Sequence, residues 1–572
     1  MGDPGQIYVN SKGLQQHQFD AIVVGSGISG GWAAKELCEH GLKTLVVERG
    51  RNVVHIKDYT TAMMAPWEFP HGLSNTVKEN TEDPVASGNY NPGNKQFYTN
   101  DREHPYVQDD PFHWVRGYQV GGRSLTWGRQ CYRLSDLDFE ANLKDGYGVD
   151  WPLRYKDLKP WYDYVETFTG ISGRAEGLSQ LPDGNFLPPI DMNCIESHFA
   201  EKVSVHFPER RVTPARVANL TRGWKDRGPC QFRNLCDRGC PFGGYFSSNS
   251  ATLPAAAATG NLSVVYDAVV SEVIYDDNRK RATGVRVIDA HTMEVTEYFA
   301  KVIFLNASTI DTAALLLRSV SSRYPSGLGN DSGQVGHNLM DHFTGSGASG
   351  DFQGFQDKYY FGRKPAGIYM PRFRNLNPET ERKDYLRGWG YQASGARKSW
   401  DDLVQEVPGF GKAFKEKLLS PGPWTLWIGG WGETLPNFEN RIRLDDSSKD
   451  KWGLPLIHVH FQYGSNESAM KKDIEQSAVD MLQKAGFEAI QGFNYHLPGG
   501  SAVHEMGTAR MGRDPKTSVL NSFNQLHEVS NVFITDGSCM TSSAWQNPSL
   551  TYMALTARAC DFAISEMRKG NL

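Results

Sequence analysis

The sequence predicts an α/β protein, α+β when its two domains are counted together. A parallel sheet with crossover helices is joined to a second domain built on an antiparallel sheet, and three observations predict it. Near the start, the apolar run AIVV is followed by glycines, a helical stretch and a second apolar run, LKTLVVE. Further on, LSVVYDAVVSEVIYDD, ATGVRVIDA and EVTEYFAKVIFLNAS read as a short antiparallel meander feeding back into the parallel sheet. Between residues 345 and 500 the texture shifts to aromatic, strand-like segments with charged loops, such as PWTLWIGGWGE and NRIRLDDSSKDKWGLPLIHVHFQY, as expected of a separate antiparallel sheet.

The opening stretch, Gln18 to Gly50, reads as strand, turn, helix and strand. AIVV is the apolar run a buried parallel strand needs. Gly25, Gly27 and Gly30 follow in the G-x-G-x-x-G spacing of a Rossmann-like dinucleotide site. The first glycine permits a tight turn, the second lets the backbone approach a pyrophosphate, and the third lets the helix pack close to the strand. The pyrophosphate would sit on the helix N-terminus, where free N–H groups and the dipole favour an anion. Trp32 to His40 continue the helix, Gly41 can cap it, and the returning strand ends in Glu48. A carboxylate there can accept both ribose hydroxyls and would repel a 2′-phosphate, so FAD or NAD fits better than NADP. The glycines alone would also suit a β-α turn that needs small residues only for packing.

At 572 residues the chain exceeds one simple core. With ~150 residues per domain, two or more domains are expected, and they can be discontinuous. The formal charge of -5 gives no basic footprint, so no nucleic-acid partner is expected. No apolar run approaches the ~18 residues of a membrane span. The N-terminus, MGDPGQIYVNSKGLQQHQ, is polar and lacks the charged-then-apolar pattern of a signal peptide. Export would require a partner's signal. The expected location is therefore periplasmic if the chain leaves with a signal-bearing partner, and cytoplasmic otherwise.

Residues 52–111 are rich in Pro, Gly, Asn and aromatics with little periodicity, and read as a large insertion or lid. In RGYQVGGRSLTWGRQCYR, Gly117, Gly121, Gly122 and Gly128 allow backbone to lie against a planar or phosphate ligand, although an ordinary glycine-rich turn reads the same. Ser124 and Thr126 of this loop, and Val270 in the first long strand of the meander, are further candidate cofactor contacts. DWPLRYKDLKPWYDYVE reads as a turn and a helix with Asp157 in its first turn. Trp424, Trp427 and Trp431 could stack on sugar faces or simply pack a core. The tail returns to an apolar strand, VFIT, then Asp536 and Gly537, which suit a last cofactor contact, then Pro548 and a long final helix.

The opening βαβ, RGYQVGGRSLTWG, GQVGHNLMDH, HEMGTARMG and QNPSLTYMALTARA together resemble the glucose-methanol-choline (GMC) flavoprotein oxidoreductases, and most of all the flavin subunits of bacterial glucoside 3-dehydrogenases. The resemblance implies FAD and oxidation of an alcohol to a carbonyl. It also implies a discontinuous FAD domain over 1–51, 112–160, 250–344 and 500–572, with a substrate domain over 161–249 and 345–499. His504 and Asn547 match the family's catalytic positions. One group must take the hydroxyl proton as hydride leaves carbon for flavin N5, and another must hold the substrate oxygen. His504, titrating near the working pH, is the expected base, and Asn547 the orienting group. The loop VGGRSLTW is similar to the flavin-attachment segment of pyranose oxidases. Thr126 stands where that segment has a flavin-bonding His, so non-covalent FAD is expected.

In CQFRNLCDRGCPFGG, within the loop 229–244, Cys230, Cys236 and Cys240 are spaced C-x5-C-x3-C and followed by Pro241. Closely spaced thiolates hold iron–sulfur clusters, and three ligands point to a 3Fe-4S cluster; three reduced thiols, or a disulfide and a spare, are the alternatives. The stretch resembles the cluster segment of bacterial FAD-dependent glucose and fructose dehydrogenases. That resemblance implies a small signal-bearing subunit and a cytochrome c acceptor. The function expected is an FAD-dependent sugar dehydrogenase acting on a secondary hydroxyl, at C3, of a pyranose or glycoside. A pyranose or glycoside oxidase using O2, and a flavo-iron-sulfur electron carrier, are its rivals.

Overall fold

The computed structural model describes residues 17–359, 362–363, 365–398, 408–419 and 421–572. Most of the polar N-terminal segment, residues 1–16, on which the export reading rests, lies outside them. No helix among the described residues is long and apolar enough to cross a membrane.

Strand β1 (Gln18–Val24), helix α1 (Ile28–Glu39) and strand β2 (Thr44–Val47) form the expected unit, with β1 and β2 parallel from Ala21 beside Thr44 to Val24 beside Val47. Successive side chains of a strand point to opposite faces, and here both faces are buried. Ala21, Val23 and Val46 pack on Ala33, Ala34 and Leu37 of α1 and on Ala559, Cys560 and Ala563 of the C-terminal helix Ser549–Lys569. Ile22, Val24, Leu45 and Val47 face the other way, into the largest core. A short apolar run without polar alternation is therefore what this position requires.

The sheet has seven strands. Across it run Leu262–Val265, β2, β1, Val295–Leu305, Arg281–Asp289 and Ala268–Asp276. Strand Val295–Leu305 divides one of its edges between two partners. Its first residues pair antiparallel with Arg281–Asp289, and Ile303 to Leu305 pair in parallel with Val532–Ile534. The meander and the chain terminus thus meet on one strand, which sets Asp536 beside the glycine turn.

A second sheet of six strands is antiparallel throughout, in the order Glu488–Asn494, Phe343–Phe352, Trp424–Gly432, Trp389–Arg397, Ile368–Met370 and Thr213–Pro214. One face, with Ala348, Leu426 and Ile428, packs on Met470, Ile474, Ala478 and Met481 of helix Ser465–Lys484 and on Ile195 and Phe199 of helix Cys194–His206. The opposite face looks toward the loop before the C-terminal helix, where Gly390 lies under the Trp545 ring. In the stretch 52–111, Val53, Tyr59 and Phe97 form a small core with Leu125 of the glycine-rich loop.

Candidate active site

A cavity of about 360 Å³ runs from the glycine turn to the C-terminal motifs. Gly25, Gly27, Glu48 and Val270 line one part of it, Gly122, Ser124 and Thr126 another, and His504, Asp536, Gly537, Asn547 and Pro548 the rest. Twelve of the fourteen expected cofactor and catalytic residues therefore share one space. Gly30 and Gly121 do not line it, and their glycines serve packing. A Cβ on Gly30 would fall 1.9 Å from the Gly25 carbonyl oxygen, and one on Gly121 would fall 1.7 Å from Asn249 Oδ1.

The turn fits a dinucleotide. Gly27 caps α1 without a side-chain hydrogen bond, and no atom lies within 4 Å of where its Cβ would be, so open space meets the first N–H groups of the helix. Gly25, at φ +91°, is pressed against the Asn306 carbonyl. Ser26 Oγ donates to Glu48 Oε2 at 2.5 Å and accepts the Gly121 N–H at 2.9 Å, so the glycine-rich loop braces the turn. Glu48 also accepts the N–H groups of Ser26 and Gly50, and burial pushes its carboxyl up to about 7. Arg49, Arg129, Asn306 and Glu505 line the cavity, and each carries a buried polar atom with no partner within the chain. A bound polar ligand would supply partners for these atoms. Asp536 Oδ2 accepts the Ser308 N–H at 3.0 Å and the Thr312 hydroxyl at 2.6 Å, fixing the start of helix Thr309–Arg318 at the cavity wall.

At the other end a chain of hydrogen bonds fixes protons. His342 Nε2 faces the carbonyl oxygens of Ala544 at 2.8 Å and Ser543 at 3.2 Å, which can only accept, so this nitrogen carries the hydrogen. Neutral His342 then offers Nδ1 as an acceptor, and His504 Nδ1, 2.9 Å away, must donate to it. His504 Nε2 is left with its lone pair toward the cavity. The Nε2 lone pair turns the Asn547 amide so that Nδ2 sits 3.4 Å from it, which leaves Asn547 Oδ1 to accept from Gln392 Nε2 at 2.9 Å. The His504 backbone N–H donates to Asp341 Oδ1 at 2.9 Å. Val503, immediately before it, is held at φ +57°, a rare conformation for a β-branched residue.

Burial, then the neighbouring His342 and Arg123, hold His504 well below the usual imidazole range. The expectation that it titrates near the working pH is corrected: the ring is neutral there, because its pocket penalises the cation. Burial likewise lowers His342 to about 4, and burial and Glu505 push Asp341 up to about 8. Asp341, His342 and Gln392 were not singled out from the sequence. The first two lie in GQVGHNLMDH, a motif already in view, whereas Gln392 gave no signal because only sheet register brings it to Asn547.

All eight cysteines are free. No group of three or more His, Cys, Asp or Glu side chains among the described residues is arranged to hold a metal ion. Cys230, Cys236 and Cys240 lie outside the cavity, half-buried on one loop. Burial, and then the nearby thiols of Cys236 and Cys240, push the Cys230 thiol up to about 11. The Phe232 N–H donates to Cys230 Sγ at 3.4 Å, and the Gly244 N–H to Cys240 Sγ at 3.3 Å. Arg129, on the cavity wall, reaches the Cys236 carbonyl at 3.5 Å.

A dinucleotide cradle and a histidine–amide pair on one cavity define a dinucleotide-dependent oxidoreductase. Two models described as GMC oxidoreductase match residues 19–344 and 436–556. The chain belongs to the GMC oxidoreductases, which bind FAD and act on CH–OH groups. It is 28% identical to a 2-methyl-1,2-propanediol dehydrogenase of Mycolicibacterium austroafricanum over 95% of each chain. It is 25% identical to a fructose dehydrogenase large subunit of Gluconobacter japonicus, over 96% of this chain and 98% of that one. Among solved structures, a formate oxidase of Aspergillus oryzae RIB40 shares the fold at a TM-score of 0.63 and 14% identity, over 97% of this chain and 99% of that one.

Proposed function

We propose that this protein is a dehydrogenase that oxidises a secondary hydroxyl of a pyranose or glycoside, at C3, to a ketone, with non-covalent FAD as hydride acceptor. The observation that carries the reading is the single cavity shared by the dinucleotide turn and the pair His504 and Asn547. FAD supplies the two-electron acceptor when bound. His504 Nε2, unprotonated in its hydrogen-bond chain, takes the substrate's hydroxyl proton, and Asn547 Nδ2 donates to the same oxygen and holds it. The C-terminal helix Ser549–Lys569 starts at the cavity, and its N-terminal dipole favours negative charge on a ligand there. Thr126 lines the cavity with a hydroxyl, which cannot form the linkage an imidazole makes. The sugar substrate is supported by the name of the fructose dehydrogenase relative, and position C3 by the resemblance to glucoside 3-dehydrogenases.

Cys230, Cys236 and Cys240 would hold a 3Fe-4S cluster, supplying one-electron exit to a cytochrome c, with a small signal-bearing subunit as second partner. Main-chain N–H groups already point at two of the sulfurs, and Arg129 touches both this loop and the cavity. A single-ion shell with metal–sulfur bonds of ~2.3 Å crowds its thiolates together. Cluster ligands stand farther apart, so the lack of such a shell is compatible with this assignment. Anaerobic mixing of the purified flavoprotein with glycosides, followed by product analysis, tests the reading. Flavin bleaching with a new carbonyl at C3 is expected. Bleaching only with non-sugar alcohols would overturn the substrate class. Stoichiometric O2 consumption by iron-free protein would favour the oxidase.

A further inference from the structure

The face of the second sheet that looks toward the active site carries a second feature. Register aligns three rows across four strands: Gln491, Ser349, Trp427 and Ser394; then Phe493, Gly347, Gly429 and Gln392; then, on the two strands nearest the site, Trp431 and Gly390. The middle row explains its neighbours. A Cβ on Gly429 would fall 2.5 Å from the Trp427 indole, and one on Gly347 would fall 2.9 Å from the Phe493 ring, so both rings lie down over glycines. Their planes are within 9° of each other, and Phe493 and Tyr495 within 12°. Trp431 meets Trp427 edge-on at 6.0 Å. Trp424, by contrast, points to the helix side and is fully buried.

These rings stay open to solvent, Trp427 at 40% and Tyr495 at 61%. Gln392, at the end of the glycine row, is the residue that donates to Asn547 Oδ1. Gly429, beneath Trp427, is one strand spacing from it, ~4.8 Å. None of the four aromatic residues lines the FAD cavity, so the shelf begins beyond the catalytic pair.

We propose that this shelf binds the second ring of a two-ring glycoside, while the ring to be oxidised sits at His504 and Asn547. The inference rests on the sugar reading above. Parallel rings lying over glycines present flat apolar faces, which match the C–H faces of a pyranose. Ser394 and Gln491 flank them with hydrogen-bonding groups suited to its hydroxyls. Continuity through Gln392 with the catalytic amide favours substrate over a protein partner.

The test is steady-state kinetics of the holoenzyme with methyl α-glucoside and with maltose, its two-ring counterpart, in wild type, Trp427→Ala, Trp427→Phe and Tyr495→Ala. Removing an aromatic face should raise KM for maltose about three- to tenfold. KM for methyl α-glucoside and kcat should hold within about twofold, and Trp427→Phe should recover most of the loss. Both side chains are exposed, and unchanged FAD content would confirm folding. Equal effects on both sugars, or none on either, would overturn the shelf alone. Failure of wild type to be reduced by any sugar would instead overturn the sugar reading, and the shelf as a sugar site with it.

Discussion

His342 Nδ1 lies 2.9 Å from His504 Nδ1, with the two rings nearly perpendicular at 87°. Since the far nitrogen of His342 is committed to backbone carbonyls, this contact decides which nitrogen of His504 is free to act as a base. His342→Phe should retain FAD yet slow flavin reduction by roughly 10²-fold. That is less than the ~10⁴ lost when a catalytic triad's histidine takes the wrong tautomer, because Asn547 still addresses Nε2. His342→Gln, which keeps a donor and an acceptor, should recover part of the rate. Wild-type rates in both variants would remove His342 from the account.

The pH dependence follows from the buried imidazoles. Neutral His504 is the proposed active form, and burial depresses its protonation, so the titration of this imidazole should leave flavin reduction unchanged from pH 6.5 upward and lower it only in acid. The same depression acts on stability. Above about pH 6.5 neither the folded nor the unfolded state holds these protons. Below it the unfolded chain binds them first, so stability falls as pH drops toward the value of about 4 for His342. Reduction rates and thermal midpoints between pH 5 and 8 check both statements. A rate midpoint near 7 would contradict the first.

Glu48 collects the Ser26 hydroxyl and two backbone N–H groups beneath the turn. Glu48→Ala leaves those donors unpaired and removes the proposed ribose acceptor. It should weaken FAD binding by roughly 1–3 kcal/mol, or about 5–160-fold in Kd. Titration of apoprotein by flavin fluorescence measures this. Unchanged affinity would place the ribose elsewhere.

Thr126 at the cavity predicts that acid precipitation leaves a colourless pellet and a yellow supernatant. Colour retained in the washed pellet would show a covalent bond.

Cys236→Ser keeps size but replaces a thiolate with a much poorer iron ligand. The variant should lose iron and transfer to its one-electron acceptor, yet still bleach with sugar in a single turnover. Wild-type protein isolated anaerobically without iron would remove the cluster.

Much of the fold was legible because its signals are local. The glycine spacing, the apolar run AIVV and the meander each specify an element from neighbours in sequence, and the strands among them all lie in the first sheet. The proton chain around His504 was not legible. His342 and His504 are 162 residues apart, Gln392 and Asn547 155, and only sheet register and loop packing bring them together. The ordinary pKa of histidine misled for the same reason, since burial is a property of the fold. Trp424 and Trp427 are close in sequence, yet strand alternation sends the first into the core and leaves the second exposed.

The most direct test of the central claim is anaerobic rapid mixing of a glycoside with FAD-loaded wild type and His504→Ala, reading flavin absorbance in a single turnover. Full bleaching is expected in wild type, and a rate lower by ~10²–10⁴ in the variant at pH 7, with FAD still bound. A variant retaining more than about a tenth of the wild-type rate would contradict the assignment of His504 as the base.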